Sequence, residues 1–432
     1  MNKIVSIISL VLTVSSASAQ HEWTLQECTN YAVENNIQVK KSEQSLESQE
    51  IRLNSSQNAF LPEVSASASQ NFSFGRGLTA NNTYSNTNTR TTSFSVGASM
   101  TLFNGFQRKN NVELNKLNLS AYSADLEKTK NDIRLQVAQA YVQILYNMEI
   151  EDVAYRQTQI DFAQVNRLET FVANGKASEA ELAQQKAAHA NSILTYTQAI
   201  NTRKLSLLTL SQLLELPSAD SFAIARPDTS QLSIVNYPLS INYDRPEIKA
   251  EEIRLDATEY NLKVAKGGYY PTLTLSGGMS TNYYTASNLP SESFSKQIDN
   301  NFSQYISLNL NIPIFNRFST RNNVRDVKIQ QHSQQYTLDL ARKNLYKDIQ
   351  QVTLNAENAA AKVTAAREAV ANSETAFRLA QARYENGKST ITEFNESKNN
   401  YMKSQSDLAQ AVYECMYCAM LVKWYQGEEM GW

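Results

Sequence analysis

The sequence predicts a mainly α fold with a small share of membrane β-strand, made from one large unit used twice. Three observations carry this. Gly and Pro number only 12 and 8 in 432 residues, about 3 % and 2 % against averages of about 7 % and 5 %. Two runs of 67 residues, 107–173 and 319–385, contain neither. Motifs also recur at a near-constant offset. Phe103-Asn104-Gly105 matches Phe315-Asn316-Arg317, and Asn174-Gly175-Lys176 matches Asn386-Gly387-Lys388, both at 212; Phe60-Leu61-Pro62 matches Tyr269-Tyr270-Pro271 at 209. Gly and Pro stop helices and build turns, so long stretches without them mean few, very long elements. A constant offset means duplication of a large unit.

The elements follow in chain order. Residues 4–14 are mostly apolar, Lys3 precedes them and Ala17-Ser18-Ala19 follows. This is a secretory leader over 1–19, with the mature chain starting at Gln20. The duplication then divides the chain into a first repeat at 20–216, a linker at 217–243, a second repeat at 244–427 and a tail at 428–432. Each repeat opens on a helix, over 32–58 and 247–265, that closes before a Pro. Two strands follow in each. Val64, Ala66 and Ala68 share one face of a strand over 61–74, and Phe94, Val96, Ala98, Met100 and Leu102 alternate with polar or small residues. In the second repeat Leu273 and Leu275 alternate with Thr, and Ile306, Leu308, Leu310, Ile312 and Ile314 form one face of a strand over 306–314. Period two with one apolar face is the strand signal. The polar stretches 75–90 and 285–301 between the strands read as long exposed loops. Tyr269, Tyr270, Tyr283 and Tyr284 bracket one strand as membrane aromatic girdles do.

Each 67-residue run is then a helix of roughly 100 Å at about 1.5 Å per residue. Ile133, Val137, Ala140 and Ile144 repeat at coiled-coil spacing, as do Leu114, Leu117, Ala121 and Ala124. Gly175 and Gly387 end the runs as left-handed helix stops. Returning helices cover 178–216 and 390–425.

Composition excludes several functions. The net charge is -2, which gives no electrostatic case for nucleic acid. Mean hydropathy is -0.44, and no apolar run reaches the ~18 residues of a membrane-spanning helix. Cys28, Cys415 and Cys418 read as small buried helix residues, because the single Cys-x-x-Cys lies inside an apolar helical pattern. His21, His189 and His332 are dispersed, so no metal set or catalytic triad is visible. Gly387-Lys388-Ser389 resembles the end of a phosphate loop, but it follows a helix rather than a strand. No enzyme and no cofactor are expected. Four strands cannot close a barrel, which takes about eight, and left open they expose edges and an apolar face. The chain must therefore pool strands with copies of itself. Helices of about 100 Å must project from the membrane. The expectation is an oligomeric outer-membrane β-barrel continued by an α-helical tube in the periplasm.

At the duplicated halves, the Phe-Asn after strands two and four, and Tyr384-Glu385-Asn386-Gly387, the chain resembles the TolC-like outer-membrane efflux proteins over nearly all its mature length. The resemblance implies a homotrimer with a twelve-stranded barrel, four strands per chain, on a coiled-coil tunnel. It implies the outer membrane of a Gram-negative bacterium, contact with outer-membrane lipid, and a passive exit duct for small molecules. It implies a periplasmic adaptor protein and an inner-membrane pump as partners, docking at Gly175, Lys176, Gly387 and Lys388. It also places a channel constriction at Glu393, Glu396, Glu181 and Tyr384. Glu393 and Glu396 lie at i, i+3 on one helix face. Rings of such carboxylates attract cations. The family has an Arg near the second turn, where this chain has Lys388 and Ser389. The alternative is a periplasmic coiled-coil adaptor or structural protein without a barrel.

Overall fold

A computed structural model describes residues 22–78, 82–217, 222–227, 244–287 and 290–428. The leader expected at 1–19, most of the linker and most of the tail lie outside the described residues. The first half runs β1 (Glu22–Trp23), α1 (Leu25–Asn35), α2 (Ile37–Asn58), β2 (Glu63–Ser73), β3 (Arg76–Leu78), β4 (Tyr84–Asn86), β5 (Thr89–Asn104), α3 (Gln107–Ala173) and α4 (Glu179–Leu213). Then come β6 (Ala223–Ile224), α5 (Pro246–Gly267), β7 (Thr272–Ala286), α6 (Phe294–Asn300), β8 (Ser303–Asn311), α7 (Ser319–Glu385) and α8 (Ile391–Gln426). Both 67-residue helices have the bounds that the Gly- and Pro-free runs predict. The chain forms two compact units, one of Met1–Lys41, Thr129–Asn242 and Leu345–Trp432, the other of Ser42–Lys128 and Tyr243–Asn344.

The first unit is helical. On α3 three of the four residues of the predicted stripe, Ile133, Val137 and Ile144, are fully covered, together with Tyr141 and Leu145, while Ala140 is half-buried. Small residues let helices approach elsewhere, where Ala359 and Val363 of α7 meet Ala411, Cys415 and Cys418 of α8. All three cysteines are buried and free. The opening helix differs from expectation. It starts at Leu25, where Thr24 and Glu27 form a reciprocal capping box, and it breaks at Asn36. The Asn36 side chain donates to the Leu213 carbonyl at 2.9 Å and accepts from the Gln38 amide at 2.8 Å. Asn offers the backbone such alternatives to helix. The described part of the linker pairs β6 parallel with β1. The buried Tyr141 hydroxyl bonds the carbonyls of Trp23 and Ala225 at 3.0 and 2.7 Å, tying that pair to α3.

The second unit carries an antiparallel four-stranded sheet in the order β2-β5-β7-β8. Every residue of the two edge strands, β2 and β8, is exposed. Large apolar side chains stand uncovered on one face, among them Val64, Val96, Met279, Ile306 and Leu308. The last strand is shifted from the expected 306–314: it runs Ser303–Asn311, starting and stopping three residues earlier, so Ile312 and Ile314 lie beyond it. Pro313 has no N–H for a ladder. The two expected loops also hold structure. A short hairpin pairs β3 with β4 within 75–90. Strand β7 continues to Ala286, and α6 forms within 285–301. Tyr269 and Tyr270 are exposed before β7, whereas Tyr283 and Tyr284 are half-buried, Tyr283 against Phe294.

After β5 the chain turns into α3 through Gly105 and Phe106, both left-handed at φ 65° and 62°. The second repeat makes the same turn with Arg317 and Phe318 at 56° and 61°. A side chain at Gly105 would press on the Gly267 carbonyl and on Tyr270 Cβ, whereas Gly175, also left-handed, has open space around it. Gly175→Ala should therefore cost about 1 kcal/mol of stability, the left-handed penalty alone. Gly105→Ala should cost about 3 kcal/mol by adding backbone clash. Thermal midpoints in detergent compare the two, and equal losses would refute the close approach. Burial pushes the Cys28 thiol from its ordinary 9.0 up to about 12, and Cys418 to about 11. The fold thus favours the neutral thiol. That burial costs nothing below pH 9 and destabilises as pH rises toward these values. Iodoacetamide at pH 8 should leave Cys28 and Cys418 unmodified in native protein and label both in denaturant, as read by mass spectrometry.

Candidate functional site

The candidate site is the pair of hairpin turns, both within the helical unit. At the first, Gly175 is left-handed at φ 67°; its N–H donates to the Val172 carbonyl at 2.9 Å, and the Lys176 N–H donates to the Phe171 carbonyl at 2.8 Å. At the second, Gly387 at φ 69° donates to the Tyr384 carbonyl at 3.0 Å and Lys388 to the Arg383 carbonyl at 2.8 Å. Both are Schellman closures. Asn174 and Asn386 each donate to the carbonyl four residues back, at 2.7 Å. The returning helices start on hydroxyl caps. Ser178 accepts from the Glu181 N–H, and the Glu181 carboxylate accepts from the Ser178 N–H, both at 3.2 Å. Thr390 accepts from the Glu393 N–H at 3.2 Å. Lys176 and Lys388 are exposed at the turns.

The expected constriction residues fall into two environments. Tyr384 is half-buried and stacks on Phe394, with centroids 5.4 Å apart. It joins an apolar cluster with Leu168, Phe377 and Ile391, and Leu182 also packs there. Burial raises its phenol pKa, the Glu181 charge adds to this, and a hydrogen bond with Gln164 opposes it. The ring hydroxyl thus stays protonated at neutral pH. Arg167 of α3 pairs with Glu385 at 3.0 Å, linking the end of α7 to the first hairpin. Glu393 and Glu396, by contrast, are both exposed on α8. Glu181 is half-buried, and its charge acts on Tyr384.

Sequence reasoning missed a buried polar cluster. Lys398 of α8 pairs with Asp161 of α3, their side chains 2 % and 0 % exposed. Gln185 of α4 donates to Asp161 at 3.0 Å, Asn395 donates to the Gln185 carbonyl oxygen at 3.1 Å, and Lys398 also donates to Asn395 at 3.2 Å. The signal was available in the spacing. Asp161 continues the buried row Ala154, Thr158, Asp161, Val165, Leu168, and Lys398 sits in phase between Phe394 and Met402. A charge in phase with an apolar stripe is a buried charge. Removing one partner strands the other, at about 3–5 kcal/mol, whereas replacing both with apolar residues is often neutral. Lys398→Met should therefore lower the thermal midpoint sharply, and Lys398→Met/Asp161→Leu should recover most of the loss. Additive losses would refute a mutually dependent pair.

The family model described as "Outer membrane efflux protein" matches residues 29–215 and again 241–415. The chain is 23 % identical over 403 residues to the outer membrane efflux protein BepC of Brucella suis, covering 93 % of this chain and 85 % of that one. It is 22 % identical over 423 residues to the outer membrane protein TolC of Vibrio cholerae, covering 96 % and 93 %. The solved CmeC outer membrane channel of Campylobacter jejuni shares the fold with a TM-score of 0.80 at 18 % identity, over 93 % of this chain and 85 % of that one. The twofold match sets aside a periplasmic adaptor without a barrel. With a mainly α fold, exposed antiparallel strands and one large unit used twice, the chain belongs to the outer membrane efflux protein family, an exit duct in the Gram-negative outer membrane with its helices in the periplasm.

Proposed function

We propose that three copies of this chain assemble into a passive duct that carries small molecules out through a tripartite efflux or secretion system. The observation that carries this is the open sheet. Its two edge strands are exposed throughout, and in hydrocarbon every backbone polar group must be paired. Strands of 9 to 16 residues suffice for a bilayer crossed at a tilt, which takes about 9–11. Three sheets joined edge to edge make a twelve-stranded barrel with no edge left. The duct has no catalytic role. Its working parts are two repeats at 20–216 and 244–427, a linker at 217–243 and a leader removed on export.

The hairpin turns at Gly175, Lys176, Gly387 and Lys388 dock a periplasmic adaptor that couples the duct to an inner-membrane pump. Their support is exposure and a backbone-closed geometry that leaves both lysines outward. Glu393 and Glu396 form the constriction with Glu181 and Tyr384, the exposed carboxylates making threefold rings that favour cations. Membrane extraction tests the assembly: a detergent-requiring, heat-resistant trimer is expected, and a monomer soluble in periplasmic extract would overturn it. Reversal potentials across a KCl gradient test the rings. Glu393→Gln/Glu396→Gln should lose most of the cation preference, and an unchanged reversal potential would remove these residues from the constriction.

A further inference from the structure

The sheet's polar face is laid out in rows that cross all the strands. Ser67, Ser95, Ser280 and Ser303 form one complete row. Within it the Ser67 and Ser95 hydroxyls lie 2.7 Å apart and those of Ser280 and Ser303 3.0 Å apart. The adjacent row is Ser65, Gly97, Gly278 and Tyr305, and the next is Glu63, Ser99, Ser276 and Ser307. Thr101, Thr274 and Asn309 continue toward the end of the sheet that leads into the long helices, while Ser69, Ser93 and Asn282 continue the other way. Along these rows of the described strands the single charged side chain is Glu63, the first residue of β2.

Tyr305 is the one large side chain at mid-height on this face. Its Cε1 and Cζ lie 2.9 and 3.2 Å from where a Cβ of Gly278 would stand. The ring therefore lies down across β7, in the notch that Gly278 leaves, and does not project from the wall. Opposite Gly278, Gly97 also leaves its side-chain space empty.

We infer that, beyond the Glu63 row at its start, the membrane section of the duct is a neutral, hydroxyl-lined bore that does not sort solutes by charge, with Tyr305 parked against the wall by Gly278. This rests on the barrel reading above, in which the polar face lines the bore and the apolar face meets lipid. Clefts lined by one sign of charge raise the arrival of the opposite ion about tenfold or more. A wall of neutral hydroxyls wets the bore without that bias. Discrimination by charge is then left to the helical part of the duct.

The test uses the full-length protein in outer-membrane vesicles. Ser95→Cys and Ser303→Cys place thiols on the polar face, away from the Glu63 row, and Val96→Cys places one on the apolar face. The three native cysteines are buried and serve as background. Each variant is treated with a cationic and an anionic methanethiosulfonate, and rates are divided by those for a free thiol in the same buffer. The expected result is that Ser95→Cys and Ser303→Cys both react, with normalised cation and anion rates within about twofold of each other. A bias of tenfold or more at both positions would overturn the neutral bore while leaving the barrel intact. If Val96→Cys reacts and both polar-face thiols do not, the barrel reading itself fails, and this inference with it. The two positions, on different strands, guard against one variant failing to assemble.

Discussion

A β-strand in hydrocarbon cannot leave its amides and carbonyls unpaired, and that requirement governs much of this molecule. Four strands meet it only in the middle. Strands β5 and β7 are paired on both sides, while β2 and β8 each keep one bare edge. The alternation of side chains adds a second demand, since the apolar face is uncovered in the single chain. A chain built this way is an incomplete object. In the proposed assembly, further copies supply what is missing.

The helical unit is held together by another device. Ala-rich contacts such as Ala359 with Ala411 allow close approach but are permissive about register. The Lys398–Asp161 pair with Gln185 and Asn395 is not permissive, since each group needs its partner at one position. Polar groups buried in an otherwise apolar helix interface trade stability for a defined alignment. Here that alignment joins α3, α4 and α8 close to the hairpin turns.

Much of this was legible because the chain punctuates itself sparingly. Where Gly and Pro are rare, those that remain fall where the path changes, and both 67-residue helices end within a residue or two of Gly175 and Gly387. What escaped sequence reasoning depends on contacts between distant residues. Asn36 breaks a helix because its side chain reaches a carbonyl 177 residues away. Helix α6 packs on β7 because Gln297 imitates a neighbouring strand: its amide accepts from the Tyr284 N–H at 2.9 Å and donates to the Tyr284 carbonyl at 3.0 Å. Neither leaves a local periodicity. The buried Lys398 differs, because its place in the stripe between Phe394 and Met402 is a local periodicity that the sequence carries.

The two hairpin turns close through main-chain hydrogen bonds and one left-handed glycine each. Geometry and surface are therefore decoupled there. The lysines that follow the glycines enter the closure only through their main-chain N–H, so they can change without moving the backbone that presents them, and the turn acts as a fixed mount with an interchangeable face. Duplication supplies two such mounts in every chain, and each can diverge toward a different neighbour while the helices behind them stay the same.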